Sequence, residues 1–249
     1  MTRSRVQPRP DQIAELTRGI RLPLPEIPHA HLDVILETLS CAWEQLCCEH
    51  RDQLRAKDEV EISSLLHLRL NNLRRAKQLF SQLVAGAVRG AEGLSLDGSH
   101  IEKRPDLTLH LTSRHPSFPL VVECKIIDGR ARKGVDLYCK DGLRRFIDGE
   151  YAWTNSEAVM LAYVGDQSSI ENALLPHLTS SAAKPLDRFQ TELMPARHGG
   201  LEAPARMSRH RRRFRYIGIQ ESDEPGPIAI WHLWMQLPAS GVSTAPAGP

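Results

Sequence analysis

Three ionisable residues, Asp106, Glu123 and Lys125, stand inside two apolar runs, "RPDLTLHLTS" and "PLVVECKII". Charges at such positions are costly to bury unless they are paired or put to use. Side chains two apart on a strand share a face, so Glu123 and Lys125 stand with Val121 and Ile127 while Val122, Cys124 and Ile126 face the other way. With Asp106 across from them on the preceding strand, two carboxylates and an ammonium converge. Mg²⁺ takes oxygen ligands in a near-octahedral shell and keeps several waters. Asp106, Glu123 and the backbone carbonyl of Cys124 would supply half of such a shell, with Mn²⁺ as a substitute ion. A cation there polarises a phosphoryl oxygen and lowers the pKa of a bound water, and Lys125 would orient that nucleophile or stabilise charge on phosphorus. The Cys124 thiol faces away and is not expected as a ligand. The plainer alternative is a buried ion pair within a sheet.

An acidic-x-Lys triplet is weak evidence alone, because about 0.8 of them would arise by chance in a chain of this composition. Placement decides, and the surrounding elements must provide it. Residues 105–111 alternate and 120–127 form an apolar run, which reads as two adjacent strands. Ahead of them, helical spacing of apolar residues predicts one amphipathic helix from His31 to about Arg55 and another from Asp58 to about Val88. "VDLYCKDGLRRFIDG" predicts a helix ending at Gly149, "EAVMLAYVG" a strand, and "SSIENALLPHL" a helix with a Ser cap. An irregular crossing follows. "RRRFRYIGI" and "PIAIWHLWMQL" predict a terminal hairpin, and the last residues read as a disordered tail. The order is that of an α/β domain, a central mixed β-sheet flanked by helices.

At these residues the chain resembles the PD-(D/E)XK nuclease superfamily, the restriction-endonuclease-like fold. Pro105-Asp106 matches the first half of its motif and Glu123-Cys124-Lys125 the second. "DEVEISSLLHLRLNNL" resembles the helix that precedes the core sheet in that family, where an acidic residue just ahead of an Ile points into the site. By that match Glu61 is the catalytic candidate, preferred over Glu59, which a helical wheel puts at the opposite edge of the apolar stripe. The resemblance covers about residues 58–164. It implies a metal-dependent phosphodiesterase, a nuclease most readily acting on DNA, with RNA as a further substrate class and a degenerate, binding-only member as the alternative.

"RMSRHRRRFRYIG" is the densest positive cluster, and arginines beside aromatics suit a phosphate backbone and stacked bases. Arg209, His210, Arg211, Arg212 and Arg213 are therefore expected to touch nucleic acid. Arg144 and Arg145 are expected there too, because helices after the catalytic strand in the resembling family often face the substrate. A pair with Asp141 or Asp148 on the same helix is the simpler account of these two.

The formal net charge is only +2, so local clusters rather than the whole chain must carry a nucleic-acid argument. Five cysteines without a C-x-x-C pair point to a reducing cytosol and to neither a disulfide framework nor a zinc site. No stretch approaches the about 18 to 20 apolar residues of a membrane span. Residues 1–57 are expected to be an arm and accessory helix, 58–237 the nuclease-like domain and 238–249 the tail. The stripe Leu32, Ile35, Leu39, Trp43 and Leu46 must be buried against something, and a homodimer through this helix is the preferred expectation. A nuclease with no sequence-reading module also calls for restraint by a regulatory partner or trigger, which fits bacterial defence or DNA processing.

Overall fold

The computed structural model describes residues 15–91, 104–216 and 224–238. Seven strands form one mixed sheet: β1 (Val84–Arg89), β2 (Leu107–Leu111), β3 (Leu120–Ile127), β4 (Glu157–Val164), β5 (Thr191–Ala196), β6 (Arg206–His210) and β7 (Ile228–Gln236). Their order is β1-β2-β3-β4-β7-β6-β5. The central β3, β4 and β7 run parallel, and antiparallel strands flank them on both sides. Every residue of β4 is buried, as an apolar run covered on both faces requires.

On one face lie α1 (His29–Glu49) and α2 (Glu59–Ala76), followed by the short α3 (Gln78–Leu83). Their Leu32, Leu39, Ile62 and Leu66 pack with Val122, Cys124, Leu161 and Tyr163 of the sheet. On the other face lies α4, a continuous helical stretch of Val135–Tyr138, a π-turn Cys139–Leu143 and Arg144–Ile147. Beside it is α5, built of Ile170–Leu174 and Leu175–Ala182 with Ser169 as its N-cap. Tyr138, Phe146, Leu174 and Leu178 meet Val121, Ile127, Met160 and Ile230. The split of β3 is as expected: Val121 and Ile127 face α4, Val122 and Cys124 face α2.

Several expectations are corrected. The second helix does not reach Val88: it breaks at Lys77, and Val84–Arg89 is edge strand β1. Val84 and Ala87 are buried on the sheet, so tertiary pairing overrides the helical reading. The penultimate strand is Arg206–His210 rather than "RRRFRYIGI", and the irregular crossing contains β5. Residues 217–219 of that run, and the tail 239–249, lie outside the described residues.

The α1 stripe is not a free surface. Leu32, Ile35, Leu39 and Leu46 are buried in the chain's own core, Trp43 stacks on Tyr163 with centroids 5.3 Å apart, and its indole N–H donates to the Gln236 carbonyl at 3.1 Å. The docking face expected for a homodimer is thus occupied by the sheet. The segment ahead of α1 is also tied down, with Leu22 and Leu24 packed beside Phe118, Trp153 and Tyr216.

Candidate active site

The site grows from the place where two strands part. β2 and β3 are paired from Leu107↔Val122 to Leu109↔Leu120, and one step further the antiparallel register sets Asp106 opposite Glu123. Among the described residues no strand partner remains on that edge of β3 for the N–H groups of Cys124 and Ile126. Two carboxylates take them instead. Asp106 Oδ2 accepts from the Cys124 N–H at 2.7 Å, and Glu59 Oε2 accepts from the Ile126 N–H at 3.0 Å. Backbone donors that must be satisfied therefore recruit acids to an open strand edge.

Lys125 sits among those acids. Its Nζ lies 2.9 Å from Glu123 Oε1, 3.0 Å from Glu59 Oε1 and 3.8 Å from Asp106 Oδ2, and it donates to the Cys124 carbonyl at 2.7 Å. Arg145 of α4 reaches the same place, with Nη1 3.0 Å from Glu123 Oε1 and 2.8 Å from the Tyr151 hydroxyl. The Tyr151 hydroxyl in turn donates to the Arg104 carbonyl at 3.1 Å.

Glu61, the preferred acid of α2, is not in this group. It is the N3 residue of a capping box: the Asp58 side chain accepts from the Glu61 N–H at 2.8 Å, and Glu61 Oε2 accepts from the Asp58 N–H at 3.1 Å. It also pairs with Lys57 at 3.6 Å. Glu59, one residue into the helix, supplies the carboxylate.

Burial sets the electrostatics. Glu123 is 1% exposed, and desolvation, reinforced by the Asp106 charge, outweighs Lys125 and Arg145 and pushes its pKa up to about 7. Burial likewise raises Asp106 against the opposing pull of Lys125 and the Cys124 N–H. Burial disfavours the Lys125 ammonium, but Glu123, Asp106 and Glu59 overcome it and hold the pKa above its ordinary value. Among these acids Lys125 is therefore held as a cation and a hydrogen-bond donor. Tyr151 is pushed up to about 12 by burial and by Glu123, so its hydroxyl stays neutral.

The donor set fits a divalent cation in two respects. Among the described residues these pairs set three carboxylates against two cationic side chains, one formal negative charge in excess, and Glu123 Oε2 is buried without a hydrogen-bond partner. In one respect it is spare: among the described residues no three His, Cys, Asp or Glu side chains form a ready ligand cluster. A Mg²⁺ ion held here would rest on Asp106, Glu123 and the Cys124 carbonyl and draw its remaining ligands from water or substrate.

Glycine at position 142 lets α4 lie close over this group. A Cβ there would come within 2.4 Å of the Met160 methyl and 3.6 Å of Lys125 Cγ. Gly142 and Tyr151 were not among the candidates. The glycine inside "CKDGLRRF" was the available signal for the first, since an interior helical glycine costs stability and asks for a packing reason. No signal pointed to Tyr151, which lies beyond the helix end and reaches back through Arg145.

The basic cluster is redistributed. His210 is fully buried on β6, its Nδ1 2.8 Å from the Phe189 carbonyl and its Nε2 2.7 Å from Ser208 Oγ, and burial lowers its pKa to about 4. Arg212 is 6% exposed and donates to the carbonyls of Gly226, Ala152, Trp153 and Asn155. Neither can meet nucleic acid, because alternation along the chain turns both inward. Arg209, Arg211 and Arg213 point outward but are engaged with Glu26, Glu192 and the Asp187 carbonyl. The cluster also lies three strands away from β3. Arg144 pairs with Asp148 at 2.8 Å on its own helix, the simpler of its two expected roles.

Comparison of the chain with family models, curated proteins and solved structures finds no match. Among the described residues no helix is long and apolar enough to cross a membrane.

Proposed function

We propose that the protein is a Mg²⁺-dependent phosphodiester hydrolase with a PD-(D/E)XK site on a restriction-endonuclease-like core, acting on nucleic acid, with DNA favoured. The observation that carries this reading is the position of the Lys125 ammonium within 3.8 Å of Glu59, Asp106 and Glu123 at the parting of β2 and β3. The helix ahead of the sheet contributes its acid at Glu59, two residues before the one the resemblance singled out.

Bound Mg²⁺ would supply Lewis acidity and an acidified water. The chain's own residues divide the remaining work. Asp106 and Glu123 provide carboxylate oxygens, and the Cys124 carbonyl is fixed in place by its strand. Lys125, kept protonated, donates to the attacking oxygen or to a phosphoryl oxygen and offsets charge in the transition state. Arg145, bonded to Glu123 and Tyr151, holds the Glu123 carboxylate in orientation and brings a second cation for phosphate. Glu59 restrains Lys125 through its ammonium and β3 through the Ile126 N–H.

A binding-only protein is the second reading, favoured by the pairing of Lys125 with all three acids, which engages their charge within the chain. Purified protein incubated with linear, circular and single-stranded DNA and with RNA, each with Mg²⁺, Mn²⁺ or EDTA, separates the two. Metal-dependent fragments support hydrolysis. Retention of nucleic acid without fragments under every condition supports binding alone.

A further inference from the structure

On the same face of the sheet as Glu123, next to the carboxylate group, lies a cavity of about 260 Å³. Thr108 and His110 of β2 and Val121 of β3 form its floor, and Phe118, Tyr151 and Trp153 line it as aromatic walls. Thr108 pairs with Val121 across the ladder, so the two point to one face. Val121 precedes Glu123 by two positions, about 7 Å along the strand. Pro105, the neighbour of Asp106, also lines the cavity.

The wall nearest the site is rigid. The Tyr151 hydroxyl is held between Arg145 and the Arg104 carbonyl, and the Arg145 guanidinium lies 5.3 Å from the centre of the Tyr151 ring. One residue thus both steadies the Glu123 partner and shapes the cavity. Thr108 and His110 give the floor two polar groups beside Val121, and His110 is half-buried.

We infer that this cavity receives one unstacked nucleobase, that of the nucleotide adjoining the phosphate held at Glu123 and Lys125. The inference rests on the phosphodiesterase reading and names a further element of its substrate. Flat aromatic walls suit the face of a base of any sequence. The volume lies below that of pockets for drug-sized ligands and suits a single ring system. Among the described residues no Lys or Arg lines the cavity and Glu150 is a carboxylate on its wall, so it disfavours a phosphate and suits the uncharged part of a nucleotide, while Lys125 and Arg145 stand outside it where the phosphate would lie. The separation of about two strand residues matches the reach from a phosphate across its sugar to the base. A site of this kind acts where a base is free to leave the stack, in single strands, ends or mismatches.

The test is a set of short single-stranded DNAs in Mg²⁺, each with one abasic unit moved stepwise along the strand, with cleavage at each bond quantified. Cleavage at a given bond should fall about 5- to 100-fold when the abasic unit adjoins that bond and little when it lies elsewhere. His110→Trp, which fills the cavity from its floor, should impose a similar loss on the intact strand while Mn²⁺ binding by calorimetry stays as in wild type. Cleavage indifferent to the abasic position, or a folded His110→Trp that cuts the intact strand as fast as wild type, overturns the inference and leaves the hydrolase reading standing. Absence of cleavage on every single-stranded DNA overturns the inference, and the hydrolase reading falls with it only if duplex DNA and RNA are also left intact in Mg²⁺. The abasic series uses only the wild-type chain, so a misfolded variant does not blunt it.

Discussion

Asp106 and Cys124 are joined by a hydrogen bond of 2.7 Å from the Cys124 N–H to Asp106 Oδ2, at the point where β2 no longer pairs with β3. That bond places a carboxylate beside Glu123 and Lys125. Glu59 repeats the device two residues on, at Ile126. The acids are thus assembled by unmet backbone donors on a strand edge, and Lys125 holds their mutual repulsion in check.

Glu59 and Glu61 should separate cleanly on mutation. Glu61→Ala removes half of a capping box and should cost about 0.5–1 kcal/mol of stability with hydrolysis unchanged. Glu59→Gln removes a carboxylate 3.0 Å from Lys125 and should lower kcat at least tenfold with a small change in melting temperature. Steady-state kinetics beside thermal denaturation check this. Loss of activity in Glu61→Ala with Glu59→Gln unaffected would reverse the assignment.

The raised pKa of Glu123 has a defined consequence for stability. Its native value of about 7 exceeds the ordinary 4.5, so between those pH values the native state binds the proton more tightly than the unfolded chain. The contribution of this group therefore falls as pH rises through that window and is least favourable above about 7. Asp106 shifts in the same direction. In EDTA, Glu123→Gln should gain stability relative to wild type at pH 8 and little at pH 5, measured by urea denaturation. A variant less stable than wild type at pH 8 would mean that the charged carboxylate is a net structural asset through its pairs with Lys125 and Arg145.

Arg212 should behave as an interior residue. Truncation to Ala strands carbonyls of Gly226, Ala152 and Asn155 and should cost about 3 kcal/mol, a fall in Tm of roughly 10 °C. Arg211→Ala, at an exposed pair with Glu192, should stay within about 0.5 kcal/mol of wild type. Calorimetry distinguishes them. A normally folded Arg212→Ala that loses DNA binding would return the residue to the nucleic-acid surface.

Trp43→Glu tests where α1 belongs. The indole stacks on Tyr163 inside the chain's own core, and a carboxylate there should cost several kcal/mol and broaden or abolish cooperative unfolding. A well-folded variant that merely changes its sedimentation would place Trp43 at an interface between copies.

Strand periodicity was enough to bring Asp106, Glu123 and Lys125 to one spot, because alternation on β3 is strict and β2 precedes it by a short connection. Local pattern was also enough for β4, and helix start and stop signals for α4 and the Ser-capped α5. The misreadings share a cause. The choice of Glu61 comes from the resemblance, with the helical wheel setting Glu59 aside, although "DEVE" carries the Asp-x-x-Glu pattern of a capping box that engages Glu61 at the helix start. Val84–Arg89 has helical spacing up to its last apolar residue, and only pairing with β2 makes it a strand. His210 and Arg212 look like members of a basic run, yet alternation turns them inward to satisfy carbonyls far apart in sequence, which local pattern does not record. Tyr151 enters the site only through Arg145, a contact that depends on how α4 lies over the sheet.

The central claim is metal-dependent phosphodiester hydrolysis at Glu123 and its partners, and the most direct measurement is the time course of DNA cleavage by wild type and Glu123→Gln with Mg²⁺ and with EDTA. Wild type should produce fragments only with Mg²⁺, and the folded Glu123→Gln protein should be slower by about a thousandfold or more, as expected when a residue acting on the reacting group is lost. Equal cleavage by the two proteins, or cleavage by wild type that persists in EDTA, would contradict it.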